Sequence, residues 1–187
     1  MQVGDRIPEI LGMDQDGREI KSSDYRGRKL VLYSYPKANT SGCTAEACSL
    51  QAHKEELAQA GYEIIGVSKD KQALQKKFAD NQGLDFPLIA DTETTLLQQL
   101  GCWGEKVACG RRTIGTLRTT YLVNEEGIIE QRRRNQIFLF DEPHEHQTSY
   151  QTNNLRVDLF PVVFFGHCII RERNAAFIAH RPLVPFE

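Results

Sequence analysis

Short apolar runs alternate along the first two thirds of the chain with stretches rich in Ala, Leu, Glu and Lys that end in glycine. That alternation is what most limits the folds open to the sequence. Residues 28–36, RKLVLYSYP, read as a buried strand ended by Pro36. Residues 43–61, CTAEACSLQAHKEELAQAG, carry strong helix formers and stop at Gly61. Positions 43, 47, 50, 54 and 57 fall on one stripe, apolar except for Lys54. Residues 62–70, YEIIGVSKD, predict a second buried strand, and 71–83 a second helix ended by Gly83. A third strand is expected over 86–91 and a short helix over 92–101. Hairpins flank the series, one over 11–21 turning at Asp16-Gly17 and one over 116–131 turning around Asn124–Gly127. Strands alternating with helices and closing in a hairpin predict an α/β sandwich around a central mixed β-sheet.

The chain has 187 residues, enough for one domain with a full core. Its net charge of -2 supplies no field to attract nucleic acid or anionic lipid, so neither partner is expected. No apolar run reaches the roughly 18 residues of a membrane span. The opening MQVGDRIPEILG has no basic region followed by an apolar one, so the expected location is cytoplasmic. The pattern changes near residue 134. Nine lysines occur up to Lys106 and none after it, while seven of the nine phenylalanines lie at or beyond Phe138. Two parts are expected: a domain over 1–134 and an atypical tail over 135–187. There are no internal repeats.

Five cysteines occur, at 43, 48, 102, 109 and 168. A core of this size needs no disulfide staples, and in a reducing compartment cysteines serve more often as ligands, catalysts or packing residues. The segment YPKANTSGCTAEAC, at a strand–helix junction, holds the first two. Ligand sites of open α/β sheets lie where strands end and helices begin. With Gly42 near the N-cap, Cys43 sits in the first helical turn, where unpaired N–H groups and the helix dipole favour a thiolate. Thr40 can aim a hydroxyl at the same spot, to hold the sulfur or a bound oxygen. Pro36 fixes the backbone and can shield the sulfur from water.

Cys48 stands five residues on, about 140° further around a helix. The two Cα atoms would be roughly 8 Å apart, beyond a disulfide's reach of about 7 Å. A permanent staple within an intact helix is therefore disfavoured, and a reacting pair requires the first turns to unwind. Two small buried cysteines are the plainer alternative, weakened by the Pro-x-x-x-Thr-x-x-Cys setting. Zinc is weaker still, since the loop has no Cys-x-x-Cys and no histidine at ligand spacing. Cys102, Cys109 and Cys168 read as packing or incidental thiols, with CWGEKVAC as a loop, and Trp103 as a packing residue. His144, His146 and His167 belong to the tail, where HEH reads as a solvated loop. The run QRRRN reads as a solvated face.

The segment YPKANTSGCTAEAC resembles the active-site segment of peroxiredoxins of the bacterioferritin-comigratory-protein (PrxQ) subfamily. The opening VGDRIPEILGMDQDGREIKSSDYRGRKLVLYSYP, then GYEIIGVSKD, FPLIADTETTLLQQLGCWGEK and GTLRTTYLVNEEGII, are similar to the family's segments in the same order, over residues 1 to about 131. The resemblance implies a thioredoxin-like fold and a thiol peroxidase. Cys43 would be the peroxidatic cysteine and Cys48 the resolving one. Thr40 would hydrogen-bond the peroxide and Pro36 would shield Cys43. Arg118 matches the family's active-site arginine and Glu46 a glutamate that orients it; the residues alone mark Arg118 only as a strand charge and Glu46 as a helix-start acid.

By the same resemblance the substrate would be a hydroperoxide. The product would be a sulfenic acid that condenses to an intramolecular disulfide. A thioredoxin-like or glutaredoxin-like reductant would recycle it, without metal, haem or flavin. The alternatives are a thiol–disulfide oxidoreductase, which usually carries Cys-x-x-Cys, and a peroxide sensor on the same fold.

The family's closing helix has no counterpart after about Glu130. An unrelated C-terminal sequence is expected, of the kind a shifted reading frame produces. The face left open would be covered by the tail or a second chain, giving a monomer or a weak homodimer.

Overall fold

The computed structural model describes residues 1–108 and 110–134. The tail expectation, with Cys109, Cys168, His144, His146 and His167, lies outside the described residues. In chain order the elements are β1 (Ile10–Met13), β2 (Glu19–Lys21), a 3₁₀ turn, β3 (Lys29–Ser34), α1 (Ser41–Ala52), α2 (Lys54–Gln59) and β4 (Tyr62–Ser68). They continue as α3 (Gln72–Gln82), β5 (Leu88–Ala90), α4 (Thr95–Gln99), β6 (Trp103–Ala108), β7 (Arg111–Thr116), β8 (Thr119–Val123) and β9 (Ile129–Arg134).

Five strands form the central sheet in the order β5-β4-β3-β8-β9. Strand β3 runs parallel to β4 and antiparallel to β8, and β4 runs parallel to β5, so the sheet is mixed as the alternation predicted. β3 lies at its centre and is buried from Leu30 to Ser34, which is why it reads as one apolar run rather than an alternating one. Its residues nevertheless divide by parity. Val31 and Tyr33 pack with Cys43, Ala47, Leu50, Leu57, Ile64 and Phe78 on the face covered by α1, α2 and α3. Leu30 and Leu32 pack with Leu11, Ile65, Val67, Leu97, Cys102 and Tyr121 on the other face. Gly66 faces Tyr33 across the β3–β4 pair, where an added Cβ would lie 2.9 Å from the Tyr33 hydroxyl and 2.7 Å from Leu88 Cδ2.

Four expectations are corrected. The single helix over 43–61 is two, α1 and α2, broken at His53. At His53 the backbone departs from helical values (φ -102°, ψ 13°), and its Nδ1 and its N–H share the Ser49 carbonyl oxygen at 2.9 and 3.2 Å. The N-cap is Thr40, with extended backbone (φ -93°, ψ 148°), and not Gly42. The supposed loop CWGEKVAC contains β6, paired antiparallel with β7 through a turn with Gly110 at φ 75°. That hairpin escapes an apolar-pattern reading because Val107 and Ile114 are 70% and 72% exposed and its other residues are mostly polar or glycine. The expected hairpin over 116–131 begins at Thr119, with Thr116 closing β7. Gly83 ends α3 as read, at φ 63° in the left-handed region.

Candidate active site

The site lies where β3 ends. Tyr35 continues the sheet by one bond, its N–H donating to the Val67 carbonyl at 3.0 Å. Pro36 has no N–H to give, so the chain leaves the sheet there. Asn39 at φ 61° turns it into α1, the Thr44 N–H closing onto the Thr40 carbonyl at 2.8 Å. Cys43 is the third residue of α1, in the turn whose N–H groups have no intrahelical acceptor. Its side chain is 2% exposed, against Tyr35 and Ala47 in the core.

Residue 118 reaches Cys43 through strand pairing. Because β8 runs antiparallel to β3, with Thr119 opposite Ser34, the start of β8 meets the end of β3. Arg118 lies in the two-residue link between β7 and β8, not within a strand. Ser34 fixes that link: its Oγ donates to the Leu117 carbonyl at 2.8 Å and accepts the Thr119 N–H at 3.1 Å. Arg118 donates from Nη2 to Cys43 Sγ at 3.0 Å and from Nη1 to Glu46 Oε2. Glu46 is fully buried, one turn along α1 from Cys43. Burial alone would lower the basicity of Arg118; the charges of Glu46 and Cys43 and their hydrogen bonds outweigh it and hold the guanidinium above its ordinary value. A planar fork that grips a carboxylate with one nitrogen and a sulfur with the other is a geometry lysine cannot supply.

The other predicted residues are placed nearby with different partners. Pro36 and Arg118 line a cleft of about 490 Å³ together with Lys106, Val107, Thr116 and Leu117. The Thr40 hydroxyl donates to the Lys37 carbonyl at 3.0 Å. Cys48 is half-buried on the intact α1, its Sγ 3.5 Å from Gln82 Oε1 on α3. Cys43, Cys48 and Cys102 are free thiols. Cys102 is fully buried beside Tyr121 and Leu100, a packing position. Trp103 packs partly buried on the second core, with Lys69 over its ring. One residue beside the site was missed by sequence reasoning: Asp70, whose Oδ2 accepts the Ala38 N–H at 2.7 Å. Its place just beyond the carboxyl end of β4 is the signal that could have found it.

Known proteins share this architecture. The family model of the AhpC/TSA family matches residues 3–132. Peroxiredoxin Bcp of Escherichia coli K12 is 37% identical over 130 residues, covering 70% of this chain and 83% of its own. The solved PrxQ of Xylella fastidiosa superposes with a TM-score of 0.65 at 28% identity, covering 72% of this chain and 86% of that one. The bacterioferritin comigratory protein of Xanthomonas campestris, a structure described for its alkyl peroxide reduction activity, gives a TM-score of 0.61 at 33% identity, covering 65% of this chain and 78% of that one. These neighbours are thioredoxin-fold peroxiredoxins, and the five-stranded mixed sheet with its flanking helices is that fold. The chain therefore belongs to the AhpC/TSA family, as a peroxiredoxin of the bacterioferritin-comigratory-protein (PrxQ) type.

Proposed function

We propose that this chain is a thiol peroxidase in which Cys43 attacks hydroperoxides and Cys48 resolves the product. The observation that carries the reading is the guanidinium of Arg118, 3.0 Å from the Cys43 sulfur and anchored on the buried Glu46. A fixed cation beside a sulfur with little water access favours the ionised nucleophile and the anionic leaving oxygen alike. The thiolate attacks the terminal oxygen of the hydroperoxide; the S–O bond forms as the O–O bond breaks. The leaving oxygen takes up a proton as water or an alcohol, and Cys43 is left as a sulfenic acid.

Each remaining residue takes a role that its placement supports. Thr40 donates its O–H in a hydrogen bond to the Lys37 carbonyl, so its oxygen lone pairs are turned toward accepting from a hydroperoxide O–H. Pro36 walls the cleft beside Arg118 and offers no N–H that would bind water there. Cys48 condenses with the sulfenic acid, releasing water and forming an intramolecular disulfide. With α1 continuous from Ser41 to Ala52, that step requires its first turns to open. A thioredoxin-like or glutaredoxin-like dithiol then exchanges with the exposed disulfide. Burial of Cys43 disfavours a primary role in exchange with protein disulfides, since a folded partner cannot reach a sulfur 2% exposed. Among the described residues no helix is long and apolar enough to cross a membrane.

The test is peroxide consumption by the full chain with a thioredoxin–thioredoxin reductase–NADPH system. Turnover by the wild type that is abolished in Cys43→Ser is expected. Absence of turnover, or full turnover by Cys43→Ser, would overturn the proposal.

A further inference from the structure

The segment between β3 and α1 is held from behind by a chain of hydrogen bonds that the proposed chemistry does not use. Gln75 on α3 and Ser68 at the end of β4 are both fully buried. Gln75 accepts from the Tyr35 hydroxyl and donates from Nε2 to Ser68 Oγ at 2.9 Å and to the Ile89 carbonyl at 3.1 Å. Ser68 Oγ donates to Asp70 Oδ2 at 3.0 Å and accepts the Asp70 N–H at 3.1 Å. Asp70 Oδ2 then accepts the Ala38 N–H at 2.7 Å. That N–H belongs to the Lys37–Ala38 peptide, and the carbonyl of the same peptide accepts the Thr40 hydroxyl at 3.0 Å.

One peptide plane is thus clamped between a carboxylate and the hydroxyl assigned to the peroxide. An ionised acceptor makes the N–H bond the stronger one, and the polarised peptide offers Thr40 a better carbonyl. If the plane turned over, an N–H would face Thr40 instead. Its hydroxyl would then accept from the backbone, and its own proton would point toward the substrate.

We propose that Asp70 is a positioning residue for peroxide reduction: by fixing the Lys37–Ala38 plane it fixes the direction of the Thr40 proton and keeps the Thr40 lone pairs open to the hydroperoxide O–H. The inference rests on the reading of Thr40 given above. It separates two jobs within the site. Arg118 acts on the sulfur, and Asp70 acts through Thr40 on the incoming peroxide.

The experiment uses the full chain carrying Cys48→Ser, which isolates the first oxidation. Two rates are measured: Cys43 oxidation by hydrogen peroxide, and Cys43 alkylation by iodoacetamide, with the modified cysteine identified by peptide mass. Asp70→Ala is expected to slow oxidation by roughly ten- to a hundredfold, the scale of a misplaced positioning group. Alkylation, which needs the sulfur but not Thr40, should stay within about twofold of wild type on the same reasoning. Asp70→Asn keeps an acceptor for the Ala38 N–H and should recover most of the lost rate. Thr40→Val should show the same selective loss, and adding Asp70→Ala to it should cost little more. An unchanged oxidation rate in Asp70→Ala, an equal loss in alkylation, or full additivity with Thr40→Val would overturn the inference while leaving the reading of Thr40 standing. A Thr40→Val enzyme with the wild-type oxidation rate would overturn that reading and this inference together. Ser68→Ala removes one bond to the Asp70 carboxylate, together with the acceptor of the Asp70 N–H and of Gln75 Nε2, and gives the same comparison should Asp70→Ala not fold; it should show the same selective loss, and no loss would overturn the inference.

Discussion

Replacing Arg118 with methionine removes the charge and keeps most of the side chain's apolar length. Its Nη2 stands 3.0 Å from Cys43 Sγ, which places the centre of the guanidinium charge about 4 Å from the sulfur. At an effective dielectric of about 20, two unit charges at that separation attract by about 4 kcal/mol. The Arg118 side chain is only 14% exposed, so solvent ions screen little of this. Water entering the vacated space restores part of it, and a loss of about 100- to 1000-fold in the rate of Cys43 oxidation is expected, the scale seen when one oxyanion-stabilising donor is removed. Stopped-flow tryptophan fluorescence, read from the single Trp103, measures that rate in the Cys48→Ser background. Alkylation of Cys43 should fall as well, because the cation acts on the sulfur itself. The variant also leaves Glu46 fully buried without its cation, a loss that costs about 3–5 kcal/mol of stability in a buried site. Adding Glu46→Gln should therefore restore much of the melting temperature without restoring the rate. A folded Arg118→Met enzyme oxidised within about threefold of the wild-type rate, or a double variant that recovers the rate, would refute the electrostatic argument.

Three further outcomes are expected. Gly66→Ala should destabilise the fold by about 1–3 kcal/mol in urea unfolding, because its Cβ would meet Leu88 and the Tyr33 ring at 2.7–3.0 Å in a packed sheet. Tyr33→Phe should be neutral or stabilising by up to about 1 kcal/mol in the same assay, since the fully buried Tyr33 hydroxyl has no hydrogen-bond partner among the described residues. Oxidation of the wild type by one equivalent of peroxide should lower the helical circular dichroism signal, and the Cys48→Ser variant should keep it, because only disulfide formation requires α1 to open.

What the sequence made legible follows from where side chains face. β3, β4 and β5 are buried on both sides, so their apolar runs announce them, and Gly83 marks the end of α3 through its positive φ. The β6–β7 hairpin turns Val107 and Ile114 to solvent, and nothing in its pattern separates it from a loop. The break at His53 is a local change in one residue's backbone (φ -102°, ψ 13°), which helix propensity does not register. Cys43 and Cys48 stood out by local context alone. Glu46 and Arg118 did not, because an acid and an arginine 72 residues apart meet only through the antiparallel β3–β8 register. Asp70 has the same history: the Ala38 N–H that it holds lies 32 residues away and is reached only because β3 and β4 are parallel neighbours ending at the same edge. Long-range pairing of this kind leaves no periodic trace in a single sequence.

Cys43 and Cys48 are free thiols on an intact helix, and the proposed chemistry joins them once that helix opens. Peptide mapping of the full chain after one equivalent of hydrogen peroxide, with free thiols alkylated before digestion, tests it most directly. A Cys43–Cys48 crosslink within single chains, absent when either residue is serine, is the predicted result. Cys43 recovered in a crosslink to Cys102, Cys109, Cys168 or a second chain, with Cys48 alkylated, would contradict it.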